Sequence, residues 1–170
     1  MNEDEFEAAR IAILNEVSSF TLATVDTQGH PWASPVYFVA LDGSLYFLSS
    51  PKSRHCVNLE STASISASLH PEVSDWRDIR GLQMEGSAGK VIEEQERERA
   101  LSAYLSRFPF AQALIQPKSG SSVSFSSAQL YRFTPERVLY LDNRLGPGLR
   151  YEVWIKDQQI VKGPSPFKYD

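Results

Sequence analysis

Residues 20–50 read FTLATVDTQGHPWASPVYFVALDGSLYFLSS. Apolar residues dominate 20–25, 31–41 and 44–50, and the three runs are separated by the turn residues 26–29 and by Asp42-Gly43. An Asp-Gly pair between two apolar runs tolerates the positive φ angles of a tight hairpin, so the stretch predicts three consecutive antiparallel strands. Further strands are expected at 62–69, 81–92, 129–133 and 137–141, with the polar segment 71–80 as an exposed loop. Ahead of them, Phe6, Ala9, Ile13, Leu14 and Val17 recur at helical spacing, with Asn2 and Glu5 as a capping pair, and predict a helix over about 3–18. A second helix follows Glu93, its apolar face formed by Leu101, Tyr104, Leu105 and Phe108 until Pro109 interrupts it. The serine-rich residues 119–127 read as a loop, and Pro164 and Pro166 give 162–170 an extended character. Strands in hairpin order with few helices predict a mainly β fold. The expected form is an antiparallel split β-barrel of six to seven strands with peripheral helices, in one domain.

The chain has 170 residues, 42% of them apolar and 22% charged, which suits one well-packed core. Its net charge of -4 gives no bulk attraction to nucleic acid and turns attention to small-molecule partners. Cys56 is the only cysteine, so an intramolecular disulfide, a CxxC redox pair and a thiolate zinc cluster are all excluded. The acidic opening Asn2-Glu3-Asp4-Glu5 is unlike a signal peptide, and no apolar stretch approaches the roughly 18 residues of a membrane helix. A cytoplasmic protein without a membrane partner is the expectation. His30, His55 and His70 form neither HxH nor HExxH spacing, and no metal is expected.

Chemistry concentrates at Ser49-Ser50-Pro51-Lys52-Ser53-Arg54, which leaves a strand and enters a short helix running towards Leu59. Ser50 suits the N-cap and Pro51 the first helical position. Lys52 and Arg54 then stand where the helix dipole is already positive, an arrangement relieved by an external anion such as phosphate. The same residues also read as a solvated turn whose cations point away from the axis.

Around this motif the chain resembles the flavin-binding split barrels related to pyridoxamine phosphate oxidase. The resemblance rests on Gly29-His30-Pro31, on Ser34 to Phe38 (SPVYF), on LYFLSS leading into SRHCVNL, and on Arg80 to Gly86 as a later strand beside the flavin. Asp142 to Gly148, with Trp154 soon after, is similar to a small uncharacterised branch of that superfamily, and no ligand contact is assigned to it. The resemblance implies FMN as cofactor, with Ser49, Ser50, Ser53 and Arg54 around its phosphate and Lys52 or His55 nearby. It places the backbone of Ala33, Ser34, Pro35 and Val36 along the isoalloxazine ring, with Gln83 donating its amide to the ring. It also implies a homodimer holding FMN between subunits, for which 34–41 and 131–140 are candidate interface strands. Without it, Gln83 reads as an outward-facing strand residue and Trp32 as packing.

Two departures qualify the activity. The strand SPVYFVALDG carries no Lys or Arg towards the phosphate, and no histidine follows His70, which makes oxidation of pyridoxamine phosphate itself doubtful. Electron transfer from a reduced nicotinamide through FMN to a small acceptor is the expected reaction, since the flavin carries the redox chemistry. The alternatives are a non-catalytic flavin-binding or sensing dimer, and a haem- or deazaflavin-binding barrel.

Overall fold

A computed structural model describes residues 1–115 and 128–167, so the loop expected at 119–127 lies outside the described residues. The chain opens with α1 (Glu3–Glu16), started by a reciprocal cap in which the Glu5 amide donates to Asn2 Oδ1 and the Asn2 amide donates to the Glu5 carboxylate. Glu3, Asp4 and Glu5 in its first turn complement the helix dipole. Its buried side is Phe6, Ile13 and Leu14, and Phe6 meets Tyr140 edge-on.

Next come β1 (Ser19–Val25), β2 (Pro31–Tyr37), β3 (Val39–Leu41) and β4 (Ser44–Ser49), with the expected turns between β1 and β2 and between β3 and β4. Asp26 closes the first turn by accepting the amides of Gln28 and His30. Asp42 and Gly43 both have positive φ, as a two-residue hairpin requires. The helix α2 (Arg54–Ser61) leads into β5 (Ser64–Leu69), a short 3-10 turn at Trp76–Asp78, and β6 (Arg80–Lys90). Helices α3 (Glu94–Arg107) and α4 (Ala111–Ile115) precede β7 (Gln129–Asp142), β8 (Arg150–Lys156) and β9 (Gln159–Phe167).

All strand pairings are antiparallel, and the sheet runs β2-β1-β5-β6-β7-β4-β3, with β8 added beside β7 and β9 beside β8. Its two ends, β2 and β3, are consecutive in sequence around the buried Phe38, so the sheet must roll up. No ladder joins β2 to β3 or β4 among the described residues, and the barrel is therefore split at that seam. Inside it, Phe20 packs against Phe38, Phe47 and Phe133 with ring centroids 5.5, 5.8 and 6.2 Å away. A buried aromatic of this size contributes about 1.5–3 kcal/mol by burial alone.

Four differences from the sequence reading have physical causes. The residues expected as two strands at 129–133 and 137–141 form the single strand β7, because the pairing of Glu85 with Arg137 and Gly86 with Pro135 bulges out Glu136. Such a bulge accommodates the proline, which has no amide to give the ladder. The sheet has nine strands rather than six or seven, since β8 and β9 were not anticipated as strands. Most of the tail is β9, whose two prolines are tolerated at a sheet margin. The run expected as one strand over 31–41 breaks at the buried Phe38 into β2 and β3, which take opposite ends of the sheet. In β4, Leu45 and Phe47 face the barrel interior, while Tyr46 belongs to a second cluster with α3 residues Ala100 and Tyr104.

Candidate functional site

The end of β4, the turn at 50–53 and the start of α2 build the candidate site. The expectation that Ser50 caps the helix and Pro51 opens it is corrected by the structure: α2 starts at Arg54 and Ser53 occupies the N-cap. Ser53 donates both its amide, at 3.0 Å, and its hydroxyl, at 2.8 Å, to the Ser50 carbonyl, closing a turn in which Pro51 takes the position that favours its fixed φ. Because the Ser53 hydroxyl is committed backwards, it caps none of the first helix amides.

At the centre of the site, His55 Nε2 lies 2.7 Å from Ser49 Oγ and 3.1 Å from Ser53 Oγ, and the two hydroxyl oxygens are 3.1 Å apart. His55 is only 8% exposed, and burial pushes its pKa below the usual imidazole value, leaving the ring neutral near pH 7. This polar cluster forms one end of a cavity of about 410 Å³ whose other walls include Pro35, Val36, Tyr37, Leu48, Tyr104, Phe110, Ala111 and Ile115. A hydroxyl and imidazole floor under apolar walls is the pattern of a small-molecule site with a polar anchor.

The flanking cations stand apart from that cavity. The Arg54 guanidinium lies 4.5 Å over the Trp32 ring and 3.6 Å from the Asp26 carboxylate, and neither Arg54 nor Lys52 contributes to the walls. The Asp26 carboxyl is held below the ordinary carboxylate range, chiefly by the His30 amide. Behind the turn, the Asn58 amide donates to Thr24 Oγ1 at 2.9 Å, and Thr24 Oγ1 donates to the Trp32 carbonyl. Both side chains are buried, so this relay fixes α2 against β1 and β2 and thereby holds the Ser49–His55 cluster in place. The sequence signal for it was available, since Thr24 shares the inward parity of Phe20 and Leu22.

The sequence-predicted residues therefore fall into several places. Pro35, Val36, Ser49, Ser50, Ser53 and His55 share the cavity, whereas Ala33 is exposed and Ser34 is buried without lining it. Gln83 lies on β6, separated from β2 by β1 and β5, in a different cavity of about 340 Å³ that Thr21, Ser66, Ser68, Glu85, Arg137 and Phe167 help to line. There Gln83 Oε1 accepts from Arg150. The loop from Asp142 to Gly148 is a structural knot: Asp142 accepts from the Tyr140 hydroxyl and the Arg144 guanidinium, while Asn143 bridges the Trp76 carbonyl and the Gly148 amide.

Among the described residues, no three His, Cys, Asp or Glu side chains gather as a metal site, and no helix is long and apolar enough to cross a membrane. The chain is 27% identical over 137 residues to the UPF0306 protein YhbP of Salmonella paratyphi A, covering 79% of this chain and 84% of that one. A solved structure of a haem-binding protein from Mycobacterium smegmatis superposes with a TM-score of 0.70 at 25% identity; the match covers 86% of this chain but only 57% of that protein's length. HutZ, the haem storage protein from Vibrio cholerae, superposes with a TM-score of 0.63 at 24% identity over 79% of this chain and 89% of that one, a likeness of fold. The family model for pyridoxamine 5'-phosphate oxidase matches residues 6–142, from α1 through the end of β7, and the chain belongs to that family of split barrels.

Proposed function

We propose that this protein binds FMN and transfers electrons between a reduced nicotinamide and a small acceptor. The observation that carries this reading is the Ser49–Ser53–His55 cluster, set at the start of α2 as the polar end of an otherwise apolar cavity. Hydroxyls together with uncapped helix amides are suited to a phosphate oxygen, and the apolar walls to the remainder of a planar cofactor. Ser49, Ser50, Ser53 and His55 would hold the phosphate, and the backbone of Ala33 to Val36 would run beside the ring. Arg54 joins the phosphate by leaving Asp26 and Trp32, a rotation of an exposed side chain; Lys52 adds long-range attraction.

Gln83 meets this flavin only from a second copy, because within one chain it opens onto the other cavity. The proposal is therefore a homodimer, with the small residues Ala23, Ser66 and Ser68 allowing close approach around Gln83. When bound, the flavin supplies the redox chemistry, and the chain supplies binding, orientation and exclusion of water. A soluble cytoplasmic, single-domain enzyme follows from the same reading.

Haem is the second reading, favoured by the likeness to the Mycobacterium smegmatis protein. His55 Nε2 is already engaged by the serines, whereas His30 and His70 use only Nδ1, towards Asp26 and the Pro71 carbonyl, which leaves Nε2 of those two rings for an axial bond; neither residue lines the Ser49–His55 cavity.

The experiment is a thermal melt of cofactor-free protein with and without FMN, on wild type and Arg54→Ala. Saturation at about one hundred times Kd adds about 2.7 kcal/mol, or roughly 5 to 11 °C for a chain of this size. The reading requires that rise in wild type, a smaller one in the variant, and flavin bleaching on addition of NADH. No rise with FMN, together with a Soret band on adding haem, would replace the flavin by haem.

A further inference from the structure

We infer that His55 makes capture of the flavin phosphate proton-coupled: the imidazole is neutral in the free protein and becomes an imidazolium against the bound phosphate dianion, taking one proton from solvent. This rests on the flavin reading above and concerns how that site recognises charge. Three observations carry it.

The first is position. His55 Nε2 is within hydrogen-bond distance of both hydroxyls proposed to contact phosphate, so any anion held by Ser49 and Ser53 also lies against the imidazole. The second is the lack of a fixed cation in the walls. Lys52 and Arg54 stand outside the walls, so Arg54 reaches the phosphate from the rim once it has left Asp26 and Trp32, whereas His55 is the wall residue that can itself gain a positive charge. The third is the supply of hydrogens. In the free protein the Ser53 hydroxyl donates to the Ser50 carbonyl and must turn from it to reach a phosphate, so Ser49 is the hydroxyl with a hydrogen not already given to the backbone. If Nε2 is the acceptor in the neutral ring, that hydrogen is taken as well, and a proton on Nε2 releases it.

The surroundings of His55 on each packed element leave its charge change dominant. On its own helix and turn stand Lys52, Arg54, Cys56 and, one turn beyond Cys56, Glu60. From β2 and α3 the cavity receives the phenols of Tyr37 and Tyr104, the latter pushed up to about 12 by burial. On β4, the Phe47 ring lies tilted beside the imidazole with centroids 6.4 Å apart and Ser49 meets its Nε2, and behind Phe47 lies Tyr131 of β7, whose phenol burial also pushes up. No carboxylate lines the cavity among the described residues, so in the free protein nothing on the walls offsets the cost of a buried imidazolium. A phosphate dianion does.

Linkage gives the sign. A group whose pKa rises on binding takes up protons, and affinity then falls as pH rises between its free and bound values, by up to about tenfold per pH unit. A phosphate monoester with a second pKa near about 6 is already dianionic above about pH 7, so there the ligand contributes little proton change of its own.

The test is isothermal titration of cofactor-free protein with FMN and with riboflavin slightly above neutral pH, in two non-phosphate buffers of different ionisation enthalpy. The inference predicts uptake of about one proton per FMN and none per riboflavin. In His55→Gln, FMN still binds but without proton uptake; in His55→Arg, a cation that keeps its proton gives FMN binding without uptake and flat in pH. FMN binding to wild type with no proton uptake, or uptake that persists in both variants, overturns the inference and leaves the flavin reading standing. Failure of wild type to bind FMN at any pH overturns both, and riboflavin binding and thermal melts of the variants report whether they are folded.

Discussion

Arg54 is stacked on Trp32, its guanidinium carbon 4.5 Å from the ring centroid, while one of its nitrogens lies 3.6 Å from the Asp26 carboxylate. Both partners belong to the first hairpin, so the cation that follows the phosphate-type turn is held by a neighbouring element rather than by the cavity. The pair is 46% exposed on the arginine side and contributes about 0.2–1 kcal/mol at most. Asp26→Asn keeps the oxygen that accepts the turn amides while removing the charge. It should therefore strengthen FMN binding by up to about fivefold, read by flavin fluorescence titration. Unchanged or weaker binding would mean that Arg54 does not move to the phosphate.

Thr24 and Asn58 should matter for stability well beyond their size. Thr24→Val strands the buried Asn58 amide and is expected to cost about 1–3 kcal/mol, a drop of roughly 2 to 12 °C in melting temperature for a chain of this length. Adding Asn58→Leu should recover part of that loss, because the stranded amide is then gone. Chemical denaturation of the two single variants and the double variant checks the coupling.

Gly86 sits at the β7 bulge, where an added Cβ would lie 2.1 Å from the Thr134 carbonyl oxygen, with the Pro135 backbone behind it. Neither contact is a flexible side-chain end that can swing away. Gly86→Ala should destabilise the barrel by at least about 1–3 kcal/mol, measured by urea unfolding. Gly89→Ala, where an added Cβ meets nothing within 4 Å, is the control on the same strand.

Asp142 should set part of the acid stability. Burial raises its pKa, but the bonds from Arg144 and Tyr140 outweigh that and bring it down from 3.8 to about 2. A carboxyl depressed in the folded state adds stability that is fully present above its unfolded value and is lost as pH falls through the folded value. Asp142 is 3% exposed but Arg144 is half-exposed, so the contribution is discounted to about 1–2 kcal/mol. Stability measured against pH for wild type and Asp142→Asn should differ most at neutral pH, with the curves converging between about pH 4 and 2. A difference that does not shrink in that window would show that the ionised carboxylate is not what stabilises the loop.

What could be read from the sequence follows the physics of each element. The first hairpins were legible because β1 has one buried and one exposed face, and because Asp42-Gly43 carries its turn geometry in its composition. The start of α2 was misplaced because Ser50, Pro51 and Ser53 all favour a helix entrance, and only the bond from Ser53 back to Ser50 decides between them. The two last strands were missed since charged residues blur β8 and the Gly163-Pro164-Ser165-Pro166 run of β9 looks like a breaker until the strand is seen at a sheet margin. The phosphate-type turn stood out locally, but the posture of Arg54 and the distance in sheet order between Gln83 and β2 depend on how the sheet rolls, which no local pattern encodes.

The most direct measurement is the ratio of riboflavin to FMN dissociation constants for cofactor-free wild type and for Ser49→Ala/Ser53→Ala. If these hydroxyls hold the phosphate, wild type prefers FMN by at least about tenfold, the equivalent of one charge-assisted hydrogen bond, and the double variant loses most of that preference while binding riboflavin as before. Equal affinities of wild type for FMN and riboflavin, or a preference untouched by the double substitution, would contradict the assignment of this turn as the phosphate site.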